Sequence, residues 1–210
     1  MHAVAGLWPA RIAEDGVDAL APHLLEQPTA CGRGDFDLNP GQRLLRRALM
    51  PAAVLLPIVR RNEPSVLFTQ RTAHLARHAG QVSFPGGRVA PSDRDAIATA
   101  LRETEEETGI APDHVRIAGF LDSYETGTGF AITPVVGIVE TGFSLKPNPD
   151  EVDEIFEVPL AFLLDLRNRE TRTTELAGAM RSYYAYTYGR HYIWGATAGI
   201  LAGFVERLAL

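Results

Sequence analysis

The chain has 210 residues, of which 46% are hydrophobic and 22% are charged, as is typical of one soluble globular domain with additional terminal elements. Its net charge of −6 argues against general nucleic-acid binding, which requires a basic face. The single cysteine, Cys31, excludes an internal disulfide and suits a reducing compartment such as the cytoplasm.

Neither end of the sequence predicts a membrane segment. The first residues have no basic start followed by a long apolar core, so they do not resemble a secretory signal. The apolar stretch near the other end contains Glu206 and Arg207, and we expect a packed helix there over about 195–208. No membrane partner is therefore predicted.

The first half of the chain predicts an extension followed by a domain. Residues 1–48 form the extension, with loop and short-helix character, and the domain covers 49–208. The apolar run 52–60 and the segment 65–71 predict two strands, joined into a hairpin by the turn chemistry of 61–64. Residues 72–94 are rich in His, Arg, Gly and Pro, and we expect a loop.

The second half continues with a central helix. Apolar residues recur at helical spacing from Asp95; Ser92 and Asp93 are candidate N-caps, and Gly109 is a C-terminal stop. Strands are predicted at 115–124 and 130–140, a loop at 146–155, a helix at 159–165 and a strand pair within 171–194. This order of elements predicts an α/β (α+β) sandwich.

Four glutamates crowd the end of the central helix: Glu103, Glu105, Glu106 and Glu107. Glu103 and Glu107 lie about 40° apart around the helix axis, and like charges at this spacing destabilise an isolated helix. They also lie at the helix C-terminus, where the macrodipole favours cations. A hard divalent cation such as Mg²⁺ or Mn²⁺ would offset both costs.

The segment that contains these glutamates resembles the signature box of the Nudix hydrolases. That box reads Gly, five residues, Glu, seven residues, then Arg-Glu-apolar-x-Glu-Glu-x-Gly-apolar. Its second half matches here, with Thr104 in place of an apolar residue; the matching positions are Arg102, Glu103, Glu106, Glu107, Gly109 and Ile110. In the first half, counting back from Arg102 reaches Arg88 and Arg94 instead of Gly and Glu. Counting forward from Gly87 reaches Asp93, so the box has one extra residue.

The resemblance implies a fold, a reaction and a metal site. Nudix proteins are α/β/α sandwiches with a mixed central sheet, and they hydrolyse nucleoside diphosphates linked to another group, usually with Mg²⁺ or Mn²⁺. By this resemblance Glu103, Glu106 and Glu107 are the metal-binding and catalytic candidates. Backbone at Gly86 and Gly87 can approach a metal or a phosphate closely because no Cβ intrudes.

The segment 67–87 resembles the element that precedes the box in the coenzyme A pyrophosphatase branch, and it shares that branch's Phe-Pro-Gly-Gly ending. The expected internal arginine is replaced by Ala76, with Arg77 one residue later. The resemblance implies cleavage of coenzyme A or acyl-CoA to 3′,5′-ADP and (acyl-)4′-phosphopantetheine. Arg71 and Arg77 are then candidates for binding substrate phosphates.

Several alternatives remain open at this point. The general base is Glu103 or Glu107, doubling as a ligand, or a carboxylate from the loop at 146–155, where Glu151 is the leading candidate beside Asp150, Asp153 and Glu154. ADP-ribose or a dinucleotide is an alternative substrate on the same fold. A nucleotide-binding module that has lost catalysis is the alternative from a different functional class. The aromatic segment 183–194 suits either adenine stacking or the core. A homodimer is compatible with the sequence.

Overall fold

The computed structural model describes residues 8–30, 32–41, 48–73, 80–176 and 178–209. Its helices are α1 (Trp8–Asp15), α2 (Ala96–Thr108), α3 (Leu160–Leu164) and α4 (Gly195–Leu208). Its strands are β1 (Arg33–Gly34), β2 (Met50–Val59), β3 (Ser65–Arg71), β4 (Val82–Ser83), β5 (Gly86–Arg88), β6 (Val115–Phe120), β7 (Tyr124–Glu125), β8 (Phe130–Val139), β9 (Val152–Pro159), β10 (Glu170–Leu176), β11 (Ala179–Tyr188) and β12 (His191–Trp194).

In the described part of the chain, nine strands form a mixed central sheet. Its main path runs β1-β7-β8-β2-β3-β4, while β5 pairs with β2, β6 with β8 and β9 with β3. The pair β2–β8 is parallel over ten residues, and β2–β3 is the antiparallel hairpin predicted from the sequence. The strands β10, β11 and β12 form a separate antiparallel sheet, which is one strand more than the predicted pair.

The two faces of the central sheet pack against different helices, as expected of an α/β/α sandwich. On one face α2 packs over β2, where Ala100 contacts a small cluster that includes Ala53, Leu55 and Val135. The larger core lies on the other face and includes Phe68, Ile138 and residues of α1, α3 and α4. The sandwich with a mixed sheet is confirmed.

The N-terminal residues that the structure describes pack against the larger core. Trp8 is buried and donates its indole N–H to the Leu208 carbonyl at 2.8 Å, and Leu20 is fully buried. The 3₁₀ helix Val17–His23 contains Pro22, in keeping with the limited helix expected there. The division between an extension at 1–48 and a domain from 49 stays a prediction.

The predicted loop at 146–155 was wrong over its last residues, because strand β9 begins at Val152. This segment mixes apolar residues with Asp153, Glu154 and Glu157 without a regular alternation, and β9 pairs with β3 along its length. Phe156 stacks on Phe68 at 5.7 Å between ring centroids, which anchors the strand. The acidic residues made this segment resemble a loop. Because β9 begins at Val152, Glu151 lies directly before a strand of the central sheet.

No helix among the described residues is both long and apolar enough to cross a membrane. The helix α4 covers 14 residues and matches the range predicted for it. Nine of its residues are buried, so its apolar character serves the core.

Candidate active site

Helix α2 positions the glutamate cluster. It begins after Asp95, whose side chain accepts the Ala98 N–H at 2.8 Å, so the N-cap is Asp95 and not Ser92 or Asp93. It ends at Gly109, whose φ of 77° is left-handed and which donates its N–H to the Glu105 carbonyl. Because the side chains diverge around the helix, Glu103 and Glu107 are directed inward while Glu105 and Glu106 are exposed.

Glu103 lies against the backbone of β5. A Cβ added at Gly87 would stand 2.5 Å from Glu103 Oε1, so the carboxylate occupies space that only glycine leaves free. Burial raises the pKa of Glu103, and the Arg102 guanidinium, 2.8 Å from Oε1, opposes that shift. Gly86 and Gly87 pair with Val54 and Ala53 of β2, so they form the sheet edge beside the carboxylates.

Glu107 is the most enclosed carboxylate of the cluster, with 2% of the residue exposed. Its Oε1 lies 3.7 Å from Arg71 Nη1, and the Gly86 N–H also stabilises its charge. Its Oε2 is buried and has no hydrogen-bond partner among the described residues. Desolvation dominates and raises the pKa of Glu107 to about 8. Such a carboxylate requires a cationic or donor ligand to be held as an anion.

Arg102 connects the helix to the loop that precedes it. It donates to both oxygens of Asp93, at 3.0 and 2.9 Å, and its Nη1 reaches Glu103 and Glu106. Asp93 also accepts from the Ala90 N–H and from the Thr99 hydroxyl, and these bonds together hold the pKa of Asp93 well below its usual range. The role of Asp93 was missed from the sequence, although counting forward from Gly87 does reach it.

Glu151 lies beside the inward carboxylates. The Thr72 N–H donates to the Glu151 carbonyl at 3.0 Å, which fixes the residue at the end of β3 next to Arg71. The charge of Glu151 raises the pKa of both Glu103 and Glu107, so its carboxylate is within electrostatic reach of both. Glu154, by contrast, pairs with Arg190 and His191, away from this group.

The structure therefore brings together most of the predicted site. Glu103, Glu107, Glu151, Arg71, Gly86 and Gly87 converge at one edge of the central sheet, and Glu106 lies at its rim with a 57% exposed side chain. Arg77 lies outside the described residues, as does Ala76.

No group of three Asp, Glu, His or Cys side chains within the described ranges is arranged to hold a metal ion. Arg102 engages Glu103 and Glu106 in this arrangement, and Arg71 faces Glu107. The donor set nevertheless fits a hard cation in its chemistry: it consists of carboxylates, and one buried carboxylate oxygen lacks a partner. The carboxylates are therefore compatible with a divalent cation in their donor chemistry, while Arg102 contacts Glu103 and Glu106 in this arrangement.

Comparison with known proteins decides the family. The family model described as the NUDIX domain matches residues 49–177. The chain belongs to the Nudix family. It is 43% identical over 176 residues to the uncharacterized Nudix hydrolase NudL of Photorhabdus laumondii, covering 84% of this chain and 94% of that protein. It is 45% identical over 150 residues to NudL of Escherichia coli K12, covering 71% and 78%.

Among solved structures, a C. elegans Ap4A hydrolase in a binary complex is similar with a TM-score of 0.46 and 19% identity, over 54% of this chain and 85% of that one. Family membership establishes the reaction class: this Nudix hydrolase acts on pyrophosphate bonds of nucleoside diphosphate derivatives. Nudix hydrolases generally use divalent metal ions such as Mg²⁺ or Mn²⁺, which agrees with the carboxylate-rich edge described above.

Proposed function

We propose that this Nudix hydrolase cleaves the pyrophosphate bond of coenzyme A or acyl-CoA, giving 3′,5′-ADP and (acyl-)4′-phosphopantetheine. The observation that carries the proposal is the contact between Arg71 and Glu107. Arg71 belongs to the 67–87 element that resembles the coenzyme A branch, and Glu107 belongs to the Nudix box. The contact joins the element that suggests the substrate to the carboxylates that suggest the chemistry.

We propose that Glu103, Glu106 and Glu107 hold Mg²⁺ or Mn²⁺. When bound, the metal neutralises the pyrophosphate charge and stabilises the leaving oxygen. Arg71 then contributes a guanidinium that binds a phosphate oxygen, and its distance of 3.7 Å from Glu107 leaves it able to turn toward the substrate. We assign the same kind of contact to Arg77 from the sequence.

In the reaction, a water oxygen bonds to one phosphorus while the bond from that phosphorus to the bridging oxygen breaks. The bridging oxygen leaves with the other phosphate, and the attacking water gives up a proton. We propose Glu151 as the base that takes this proton, because it lies at the edge of the carboxylate group and is not engaged by Arg102. Glu103 and Glu107 already face Arg102 and Arg71 and are assigned to the metal, so we assign the proton transfer to Glu151.

The test is product identification with three substrates side by side: CoA, dephospho-CoA and ADP-ribose, each with Mg²⁺ or Mn²⁺. We expect CoA to be cleaved best. A lost charge-assisted phosphate contact costs about 1.5–3 kcal/mol, so dephospho-CoA should be poorer by roughly ten- to a hundred-fold. ADP-ribose as the clearly best substrate would overturn the coenzyme A assignment and favour the ADP-ribose or dinucleotide alternative. Absence of any metal-dependent product would favour a binding module without catalysis.

Two pairs of variants test the residues. Glu107→Gln should lower turnover by about two orders of magnitude or more, as expected for loss of a main transition-state stabiliser, whereas the exposed Glu105→Gln should not. Glu151→Gln should lower turnover far more than Asp153→Asn, its near neighbour. Equal and small effects in the second pair would remove Glu151 from the mechanism.

We further propose that the protein acts in the cytoplasm, as its single cysteine suggests, and that a homodimer is its candidate assembly. Sedimentation at micromolar concentration tests the second point, and a monomer would refute it.

A further inference from the structure

A cavity of about 150 Å³ lies outside the carboxylate edge, between three distant parts of the chain. Residues 34–39 form one wall, residues 124–127 another, and strand β11 with the start of α4 the third. Its aromatic lining consists of Phe36, Tyr124, Tyr183, Tyr184 and Trp194. A cavity of this size accommodates one ring system and is smaller than the pockets that enclose whole cofactors or drugs.

The cavity is preformed by hydrogen bonds. Asn39 is buried, and its amide donates to the Ser182 carbonyl and accepts the Ser182 N–H, each at 2.8 Å. Asp35 accepts from the Tyr124 hydroxyl at 2.9 Å and from the Gly127 N–H at 2.7 Å. Hydrogen bonds therefore connect residues 34–39 to both other walls. Because the walls are already ordered, binding a ligand costs little additional conformational entropy.

Two polar groups in the lining have hydrogen-bonding capacity left. Nε of Arg181 is buried and has no acceptor among the described residues, which is costly unless a ligand supplies one. The Asp35 carboxylate has about four lone-pair sites, of which two are used by Tyr124 and Gly127. The cavity thus offers a donor and an acceptor between aromatic walls. A heteroaromatic ring with an acceptor nitrogen and an amino group complements that pattern.

The charge of the lining selects a neutral ring over a phosphate. Asp35, Asp37 and Glu125 line the cavity with Arg181 as the cation, and Arg33 neutralises Asp37 through a 2.6 Å contact. Among the described residues of the lining, three carboxylates face one guanidinium, and carboxylates repel phosphate groups. The phosphates of a nucleotide would stay with the arginine beside Glu107, and its base would enter the cavity.

Strand register gives the separation, within the plane of the sheet, between β5 and the cavity wall at Tyr124, which packs with the larger core on the face opposite α2. Arg88, which directly follows Gly87, pairs with Ala52; Ala52 pairs with Ile132, and Ile132 with Tyr124. Three inter-strand spacings separate Arg88 from Tyr124, or roughly 14 Å. An extended nucleoside diphosphate spans a separation of this order.

We propose that this cavity binds the adenine base of the substrate, with the ring between the aromatic side chains, Asp35 accepting from the exocyclic amine and Arg181 donating to a ring nitrogen. The proposal rests on the proposed function for the identity of the base. Tyr186 is fully buried in the core, whereas Tyr183 lines the cavity. In this proposal the aromatic segment 183–194 therefore contributes both to the core and to adenine stacking.

Direct binding of adenosine tests the proposal without any turnover. The chain has two tryptophans; Trp8 is 3% exposed, whereas Trp194 lines the cavity and is 38% exposed. Adenosine should quench Trp194 fluorescence with a dissociation constant in roughly the millimolar range. Tyr183→Ala should weaken binding at least about fivefold, as expected for a lost stacking partner. It should also raise KM for CoA more than it lowers kcat.

Tyr192→Ala is the matched control. The hydroxyls of Tyr183 and Tyr192 lie 3.3 Å apart, so both variants remove this contact, but Tyr192 is outside the cavity lining. Arg181→Lys keeps the charge and removes the Nε donor, so it should also weaken adenosine binding if Tyr183→Ala fails to fold.

Two results would overturn the proposal: no quenching by adenosine up to its solubility limit, or equal losses in Tyr183→Ala and Tyr192→Ala. Quenching by pantetheine but not by adenosine would assign the cavity to the other end of coenzyme A and would likewise overturn it. Failure of the proposed function is a separate outcome, in which adenosine binds and CoA is not cleaved.

Discussion

Replacing the buried Glu107 by glutamine should stabilise the metal-free protein. The carboxylate is almost completely enclosed, one of its oxygens has no partner among the described residues, and burial raises its pKa to about 8 from an ordinary value of 4.5. Glutamine has nearly the same shape and carries no charge. The substitution therefore removes a desolvation cost while leaving the packing of α2 in place.

The magnitude follows from proton linkage. Because the folded-state pKa exceeds the unfolded one, the folded protein binds more protons between pH 4.5 and about 8, so the free energy of unfolding falls as pH rises through this window. The cost accumulates at about 1.4 kcal/mol per pH unit above pH 4.5, which gives about 3.5 kcal/mol at pH 7 and about 5 kcal/mol once the pH exceeds the folded-state pKa of about 8. Glu107→Gln also removes the partner of Arg71, so we expect a gain of about 1–3 kcal/mol at pH 7 and almost none at pH 4.5.

Urea unfolding of the metal-free protein at pH 4.5, 6, 7 and 8 measures this effect, with Glu105→Gln as the control. Glu105 lies on the same helix and loses the same charge, but it is exposed and should change stability little at any pH. A second series with Mn²⁺ should stabilise the wild type more than Glu107→Gln. The reasoning is refuted if Glu107→Gln is no more stable than the wild type at pH 7, or if both proteins lose stability equally between pH 4.5 and 8.

Two further predictions concern glycines. Gly87→Ala should lower turnover at least about tenfold with the fold retained, because the new Cβ displaces the Glu103 carboxylate; steady-state kinetics and circular dichroism check this. In α4, Gly199→Ala should destabilise the protein, because a Cβ there would overlap the Tyr124 ring, whereas Gly203→Ala should stabilise it by about 0.5–1 kcal/mol through helix propensity. Thermal unfolding decides the second prediction, and two shifts of the same sign would contradict it.

The sequence predicted those parts of the molecule that depend on local pattern. The central helix, its stop at Gly109 and the β2–β3 hairpin follow from periodicity and turn chemistry. The inward placement of Glu103 and Glu107 follows from their spacing of four residues, which puts them on one face of any helix. Strand β9 was missed because its acidic residues resemble a loop and do not alternate regularly with the apolar ones.

The features that could not be predicted depend on contacts between distant segments. Arg71 meets Glu107 only because β5 and α2 pack beside the end of β3, and the helical pattern says nothing of a partner 36 positions away. The cavity depends on three segments separated by more than 50 residues each, joined through Asn39 and Asp35. No local sequence signal distinguishes Asn39 and Asp35 from ordinary loop residues. Their contacts depend on the positions of partners that are distant in sequence and that the fold brings close.

The box contains one extra residue before Arg102, and two aspartates in this segment have separate roles. Asp95 caps helix α2 through the Ala98 N–H, and Asp93 holds Arg102 through both carboxylate oxygens. Asp95 accepts from a backbone N–H of the first turn, whereas Asp93 accepts from the Arg102 guanidinium and from the Thr99 hydroxyl. The longer loop thus frees Asp93 to orient the arginine that contacts Glu103. In this chain the acidic residue reached by counting forward from Gly87 therefore positions the arginine that contacts Glu103, and Glu103 and Glu107 are directed inward.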